Sequence, residues 1–192
     1  LLDNASLRAR LSRLEELWIH TSQFVEILAQ EQHTNISDAL NKVYNSTYYE
    51  AAYLTQLLQG KYQTFRQIPK KAIQEAINTP WNNTDFSQRI WDQRDKLITK
   101  LQQEITRSFI AQEPTERITE RISQACDVQM SNARRLVETE VAYVQELALN
   151  NTFKELNVKQ YQILATLDKH TSSVCRHLDK HIVDRTDFKP GI

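Results

Sequence analysis

The chain has 192 residues, enough for one sizeable domain or a helical domain with a small appendage. Lysine plus arginine and aspartate plus glutamate balance at 24 each, which excludes a protein that wraps nucleic acid by overall charge; contact through a local patch stays open. Hydrophobic residues make up 40%, slightly under the globular average, so an elongated shape with much wetted surface is expected.

In chain order, the first predicted element is an amphipathic helix from Asp3 or Ser6 to Gln30. It carries Leu7, Leu11, Leu14, Leu17/Trp18, Phe24/Val25 and Leu28 at steps of three and four, with a polar Thr21 filling the one gap. A second helix is predicted from Ser37 or Asp38, good N-caps, to Gly60, a natural C-terminal stop. It holds Tyr44, Tyr48, Tyr49 and Tyr53. Two readings fit these tyrosines: a partner surface with Tyr48 and Tyr49 as contacts, or helix packing with hydroxyls at the rim. Lys61, Arg66, Lys70 and Lys71 follow with no acid among them and with Tyr62 and Phe65 interleaved. That stretch is either a phosphate contact or a solvated surface.

A short helix is expected over Pro69 to Asn78, closed by Thr79-Pro80-Trp81. Thr84 or Asp85 then caps a long helix bearing Phe86, Ile90, Trp91, Leu97, Leu101, Ile105 and Phe109. Pro114 suits the first turn of the next helix, where its missing N–H costs nothing. A further helix is expected after Asp127. Beyond Gln160 the period changes, since Tyr161, Ile163, Ala165 and Leu167 alternate as in a half-buried strand, and Leu178 to Phe188 can supply a second strand. The fold class expected is therefore mainly α: an elongated array of long amphipathic helices with a small C-terminal α/β unit. At least five helices are predicted, two of them longer than about twenty residues, with strands only after about residue 160. The expected regions are 1–80, 81–157 and 158–192.

Chemistry is harder to find. Cys126 and Cys175 fit a reducing compartment with no disulfide framework. No apolar run is long enough for a membrane span, and no signal peptide is recognised. The start at Leu1 and the end at Lys189-Pro190-Gly191-Ile192 read as a fragment. Two glycines cannot build a phosphate loop, and neither a nucleophile elbow nor an HExxH helix is present. Glu138 and Glu140 stand two apart on a helix and so do not face one another as an acid/base pair. His170, His177 and His181 gather around Cys175. With His177 and His181 four apart on one helical face, they could hold zinc or iron and centre a metal-dependent nuclease or other enzyme; the other reading is a surface segment with scattered histidines. The expectation is no catalytic residue, no cofactor, no metal and no enzyme.

Three segments carry a resemblance. They are Pro80-Trp81 with Phe86-Ser87-Gln88-Arg89-Ile90-Trp91; Ala133-Arg134-Arg135-Leu136-Val137-Glu138-Thr139-Glu140; and Leu164-Ala165-Thr166-Leu167-Asp168 followed by Thr171, Cys175, Leu178 and Asp179. In this order the stretch from about residue 80 to 192 resembles the bacteriophage minor head, or head morphogenesis, proteins of the Mu F-like family. The resemblance marks Trp81, Phe86, Arg89, Trp91, Arg135, Glu138, Thr139, Glu140, Thr166, Asp168, Thr171, Cys175 and Asp179 as structural motif positions. The family's pattern carries cysteine where this chain has Ser172 and glycine where it has Lys180, so the family's zinc site is not carried over. The resemblance implies a protein present in few copies inside the head near the portal vertex, in the virion after assembly in the host cytoplasm. Its implied partners are the portal protein and other head proteins, with packaged DNA as a further contact and no membrane, in a role in head assembly or DNA delivery. Some members of the family are fused to toxin or ADP-ribosyltransferase domains, whose catalytic parts nothing in this chain matches.

Overall fold

The computed structural model describes residues 2–190 apart from 63, 65, 66 and 170, with the side chains at 2, 3, 6, 7, 10 and 115 set aside. Phe65, Arg66 and His170 of the expected sites thus lie outside the described residues. The elements are α1 (Leu2–Gln59), α2 (Lys70–Ile77), α3 (Phe86–Ile110), α4 (Thr115–Glu155), β1 (Gln160–Gln162), α5 (Ser173–Leu178), β2 (Ile182–Asp184) and a 3-10 turn, Arg185–Asp187. The fold is mainly α with a small C-terminal α/β unit, as the glycine and proline spacing indicates. Three helices rather than two exceed twenty residues, at 58, 25 and 41 for α1, α3 and α4.

The excess length comes from two breaks that do not occur. The expected second helix start at Ser37 or Asp38 lies within α1. The buried stripe explains why: Leu14, Val25, Ala29, Ile36, Leu40, Tyr44 and Tyr48 keep one face covered straight through the polar segment. Ser and Asp are N-caps only where the helical stripe stops. Asp127 likewise sits inside α4, whose inward face continues through Leu136, Glu140, Val144, Ala148 and Thr152. The real stops are the expected ones. Gly60 ends α1 with φ +64°, a left-handed conformation that costs a residue with Cβ about 1–2 kcal/mol. Asp85 caps α3, its carboxylate accepting from Gln88 N at 2.7 Å. Pro114 stands just before α4 and its carbonyl accepts from Arg117 N.

Two compact units form, one from Leu1–Ala39 with Asn78–Glu140, the other from Leu40–Ile77 with Val141–Ile192. They cut across the sequential regions 1–80, 81–157 and 158–192 because α1 and α4 are long enough to contribute to both. In the first unit Val25, Leu97 and Leu101 form a core cluster with Ile98, Ile122 and Ala125 packed against it. Glu26 reaches Arg94 at 2.8 Å, and the His33 ring stacks on Phe86 at 5.4 Å between centroids.

In the second unit the tyrosines do the packing. Tyr44 and Tyr48 are buried; the Tyr44 hydroxyl accepts from Asn151 at 2.7 Å and the Tyr48 hydroxyl donates to Glu155. Burial, and then the bond to Glu155, push the Tyr48 phenol above its usual range. Tyr48 therefore cannot serve as a partner contact, which corrects the surface reading for that residue. Tyr49 and Tyr53 face solvent.

β1 and β2 pair antiparallel over three rungs, Gln160–Asp184, Tyr161–Val183 and Gln162–Ile182. The expected longer strands stop short. Half-burial does alternate through Tyr161, Ile163 and Ala165, but beyond the Ile163 N–H to His181 carbonyl bond the chain takes its hydrogen bonds from side chains instead of a ladder. No helix among the described residues is long and apolar enough to cross a membrane.

Candidate functional site

The first two segments singled out in the sequence, fifty residues apart, converge in the first unit. Asn82 and Asn83 both take positive φ, 52° and 71°, and bring Trp81 and Thr84 together in a bridge. Two successive positive φ values define a type I′ turn, which asparagine tolerates better than most residues. Phe86 then starts α3, and one turn along it Arg89 points back at this hairpin. Its Nε donates to Thr84 Oγ1 at 2.9 Å, its Nη2 to the Trp81 carbonyl at 2.9 Å, and its Nη1 to Glu140. Glu140, on α4, is 1% exposed. Its second oxygen accepts from the Trp81 indole at 3.0 Å, while the Arg89 guanidinium lies 4.7 Å from the indole centroid.

Both partners of this ion pair are thus fully engaged. A buried charge pair is tolerated only when the remaining hydrogen-bonding capacity is met, and here it is. The arrangement locks the hairpin, α3 and α4 together. It offers no free nucleophile or base, because each polar atom already has a partner. Sequence reading selected Trp81, Arg89 and Glu140, took Thr84 only as a candidate helix cap, and passed over the Asn82-Asn83 turn. The asparagine pair was the available signal.

Of the other residues of these segments, Phe86, Ile90 and Leu136 are buried in the core, and several polar ones sit on the surface around the clamp. Glu138 is exposed and bonded to Arg134 at 3.0 Å, so it and Glu140 do point apart. Arg135 bonds Asn132, and the Thr139 hydroxyl donates to the Arg135 carbonyl. Trp91 is half-buried, with His33 stacked at 6.1 Å and the Arg94 guanidinium 4.9 Å from its centroid.

The third segment, in the second unit, is a loop tied by its own side chains. The Thr171 hydroxyl donates to the Thr166 carbonyl at 2.6 Å and accepts from Asp168 N at 2.8 Å. Asp179 accepts from Ala165 N at 3.0 Å. Ser172, where the resembling family has cysteine, caps α5 by accepting from Cys175 N at 3.1 Å. Lys180, where that family has glycine, adopts φ 64°. The glycine of the pattern is therefore a backbone requirement, and lysine carries a left-handed strain there. Lys180→Gly should raise stability by roughly 0.5–1 kcal/mol, read as a higher urea midpoint; an unchanged or lower midpoint counts against this account.

The metal reading finds little here. His177 and His181 do not share a helical face, since α5 ends at Leu178, although their rings stand 5.5 Å apart. Cys175 is exposed. Among the described residues no group of three or more His, Cys, Asp or Glu could hold a metal ion. Lys61, Lys70 and Lys71 are exposed, and Lys71 faces Glu75 at 3.7 Å.

No family model matches the chain, and no solved structure matches it. Among curated proteins, NAD(+)–arginine ADP-ribosyltransferase EFV of Enterococcus faecalis is similar, 22% identical over 184 residues. The match takes in 93% of the chain, which spans 38% of that relative's length. This corrects the expectation that the protein is no enzyme, because the similar protein bears an enzyme's name.

Proposed function

We propose that the chain is a phage minor head segment that docks near the portal, in a protein that as a whole carries arginine ADP-ribosyltransferase activity. The observation that carries the head reading is the clamp. Trp81 and Arg89 from one resembling segment and Glu140 from another, chosen from sequence alone, belong to a single hydrogen-bonded constellation around the buried Glu140 carboxylate. The transferase part rests on the similarity to the enterococcal enzyme, and since the chain spans 38% of that protein, the activity is assigned to the whole protein. Docking falls to apolar residues that the fold leaves uncovered. Tyr53, Leu54, Leu57 and Leu58 of α1 are 62%, 48%, 50% and 88% exposed, at helical spacing that puts them on adjoining faces. Large exposed aromatic and aliphatic groups of this kind mark contact surfaces.

The test is incorporation. The full-length protein should co-purify with intact heads and cross-link to the portal, and Tyr53→Ala with Leu57→Ala should lower its copy number severalfold without changing its fold. Its absence from purified heads would sink the head reading. Separately, the full-length protein should transfer ADP-ribose from NAD+ to a small guanidine such as agmatine, and no transfer would sink the transferase assignment.

A further inference from the structure

A groove of about 510 Å³ lies in the first unit between α1 and α4, with Ile90 and Leu97 of α3 at its floor. On its α4 side Cys126, Met130, Ala133 and Val137 recur at steps of four, three and four, the spacing of a seam that receives another helix. This stripe is turned about 100° from the one that carries Ala125 and Leu136 into the core, because each of those residues precedes a stripe member by one position. A helix that is apolar on two faces packs against two neighbours, yet the fold covers this second face only in part. Met130 is 72% exposed, Cys126 is exposed, and Leu28 across the groove on α1 is 42% exposed.

The groove's own side chains point to its occupant. A small apolar ligand would fill the floor and leave the outer sides of Leu28 and Met130 in water, whereas a second chain covers both. The same patch carries protruding side chains, Leu28 and Met130, and holes above the short side chains of Ala29 and Ala133. Knobs and holes on one patch are what a twofold interface requires, since each copy both gives and receives. Charge points the same way. Glu31 lines the α1 side and is exposed; Arg134 lines the α4 side, where it holds Glu138 through Nε at 3.0 Å while its side chain stays 81% exposed. A twofold axis running along the groove sets α1 of one copy over α4 of the other, so that each Glu31 meets an Arg134. Zero net charge leaves no overall repulsion between copies.

We infer that a second copy of this chain docks in the α1–α4 groove, the two copies building a four-helix seam from α1 and α4 of each. Covering Leu28, Cys126 and Met130 buries a modest apolar area, so the association is weak and concentration-dependent. The surface is separate from the face of Tyr53, Leu54, Leu57 and Leu58 assigned to portal docking, which belongs to the second unit. Dimerisation needs neither portal nor transferase, so its failure leaves the head reading intact, and the reverse holds.

The experiment is sedimentation equilibrium of the chain, with a dimer Kd of about 10 µM expected. Met130→Glu places a charge in the seam and should raise Kd at least about tenfold. Ala133→Leu adds apolar surface but fills a hole, so it should weaken the dimer by about the same factor where unspecific adhesion would strengthen it. Glu31→Lys should raise Kd about threefold to tenfold, and adding Arg134→Glu should bring it back within about twofold, because each copy carries both halves of the exchange. Tyr53→Ala with Leu57→Ala removes exposed apolar surface outside the groove and should leave Kd within about twofold. Circular dichroism verifies that every variant keeps its helices. A chain that stays monomeric at about 100 µM would overturn the proposal. So would a Met130→Glu variant that dimerises like wild type, tighter association of Ala133→Leu, or an outer variant that loses as much. A charge exchange that leaves the dimer weakened would overturn the second copy as the occupant that faces Glu31 and Arg134.

Discussion

Glu140→Ala is expected to destabilise the chain by about 3–5 kcal/mol, among the largest effects of any single substitution in it. The carboxylate is 1% exposed, and its removal leaves the largely buried Arg89 guanidinium without its counter-charge and the Trp81 indole without its acceptor. Breaking one partner of a buried pair costs more than the pair contributes, because the remaining charge stays desolvated. Glu140→Gln keeps the shape and an acceptor but not the charge, so about half that loss is expected. Glu138→Ala, two residues earlier, breaks only an exposed ion pair and should cost no more than about 0.5 kcal/mol. Combining Glu140→Leu with Arg89→Met should recover much of the loss, since an apolar pair leaves no charge stranded. Urea denaturation followed by tryptophan fluorescence reads all four. A loss under about 1 kcal/mol for Glu140→Ala would mean that the clamp does not hold the hairpin to α3 and α4.

Helix ends were legible wherever the backbone imposes them. Gly60 needs a left-handed φ, Asp85 offers a side-chain acceptor to Gln88, and Pro114 lacks the N–H that a helix interior requires. Ser37, Asp38 and Asp127 misled because a capping residue signals an end only when the buried stripe also ends. In both helices Ile36 and Leu136 carry that stripe onward. Half of the clamp was legible too, since Trp81, Arg89 and Glu140 all belong to recognisable segments. What ties Arg89 to the hairpin was not, because it depends on Asn82 and Asn83 turning the carbonyls of Trp81 and Thr84 inward. Tyr48 was ambiguous for a different reason. Four tyrosines spaced along one helix look alike in sequence, and only the packing of α4 decides that Tyr48 meets Glu155 and Thr152 while Tyr53 meets water.

At the start of α3, the core and the cap can be weighed against each other. Phe86→Ala is expected to cost about 3–5 kcal/mol, because the ring is 1% exposed, stacked on His33 at 5.4 Å, and its loss leaves a cavity that long helices relax only partly to fill. Asp85→Ala, one residue earlier, removes only the cap to Gln88 and should cost about 1 kcal/mol. Phe24→Ala supplies the contrast of chemistry without burial, since that ring is 61% exposed and its truncation should stay within about 0.5 kcal/mol. If a domain of this size has about 5–15 kcal/mol of stability, the Phe86 variant loses a large share of it, and its urea midpoint should fall with little change in slope. The His33 ring would keep Trp91, at 6.1 Å, as its remaining stacking partner, which limits the collapse around the cavity. Equal midpoint shifts for Phe86→Ala and Phe24→Ala would show that α3 is not seated on α1 through this ring, and the clamp would then hold the first unit by itself.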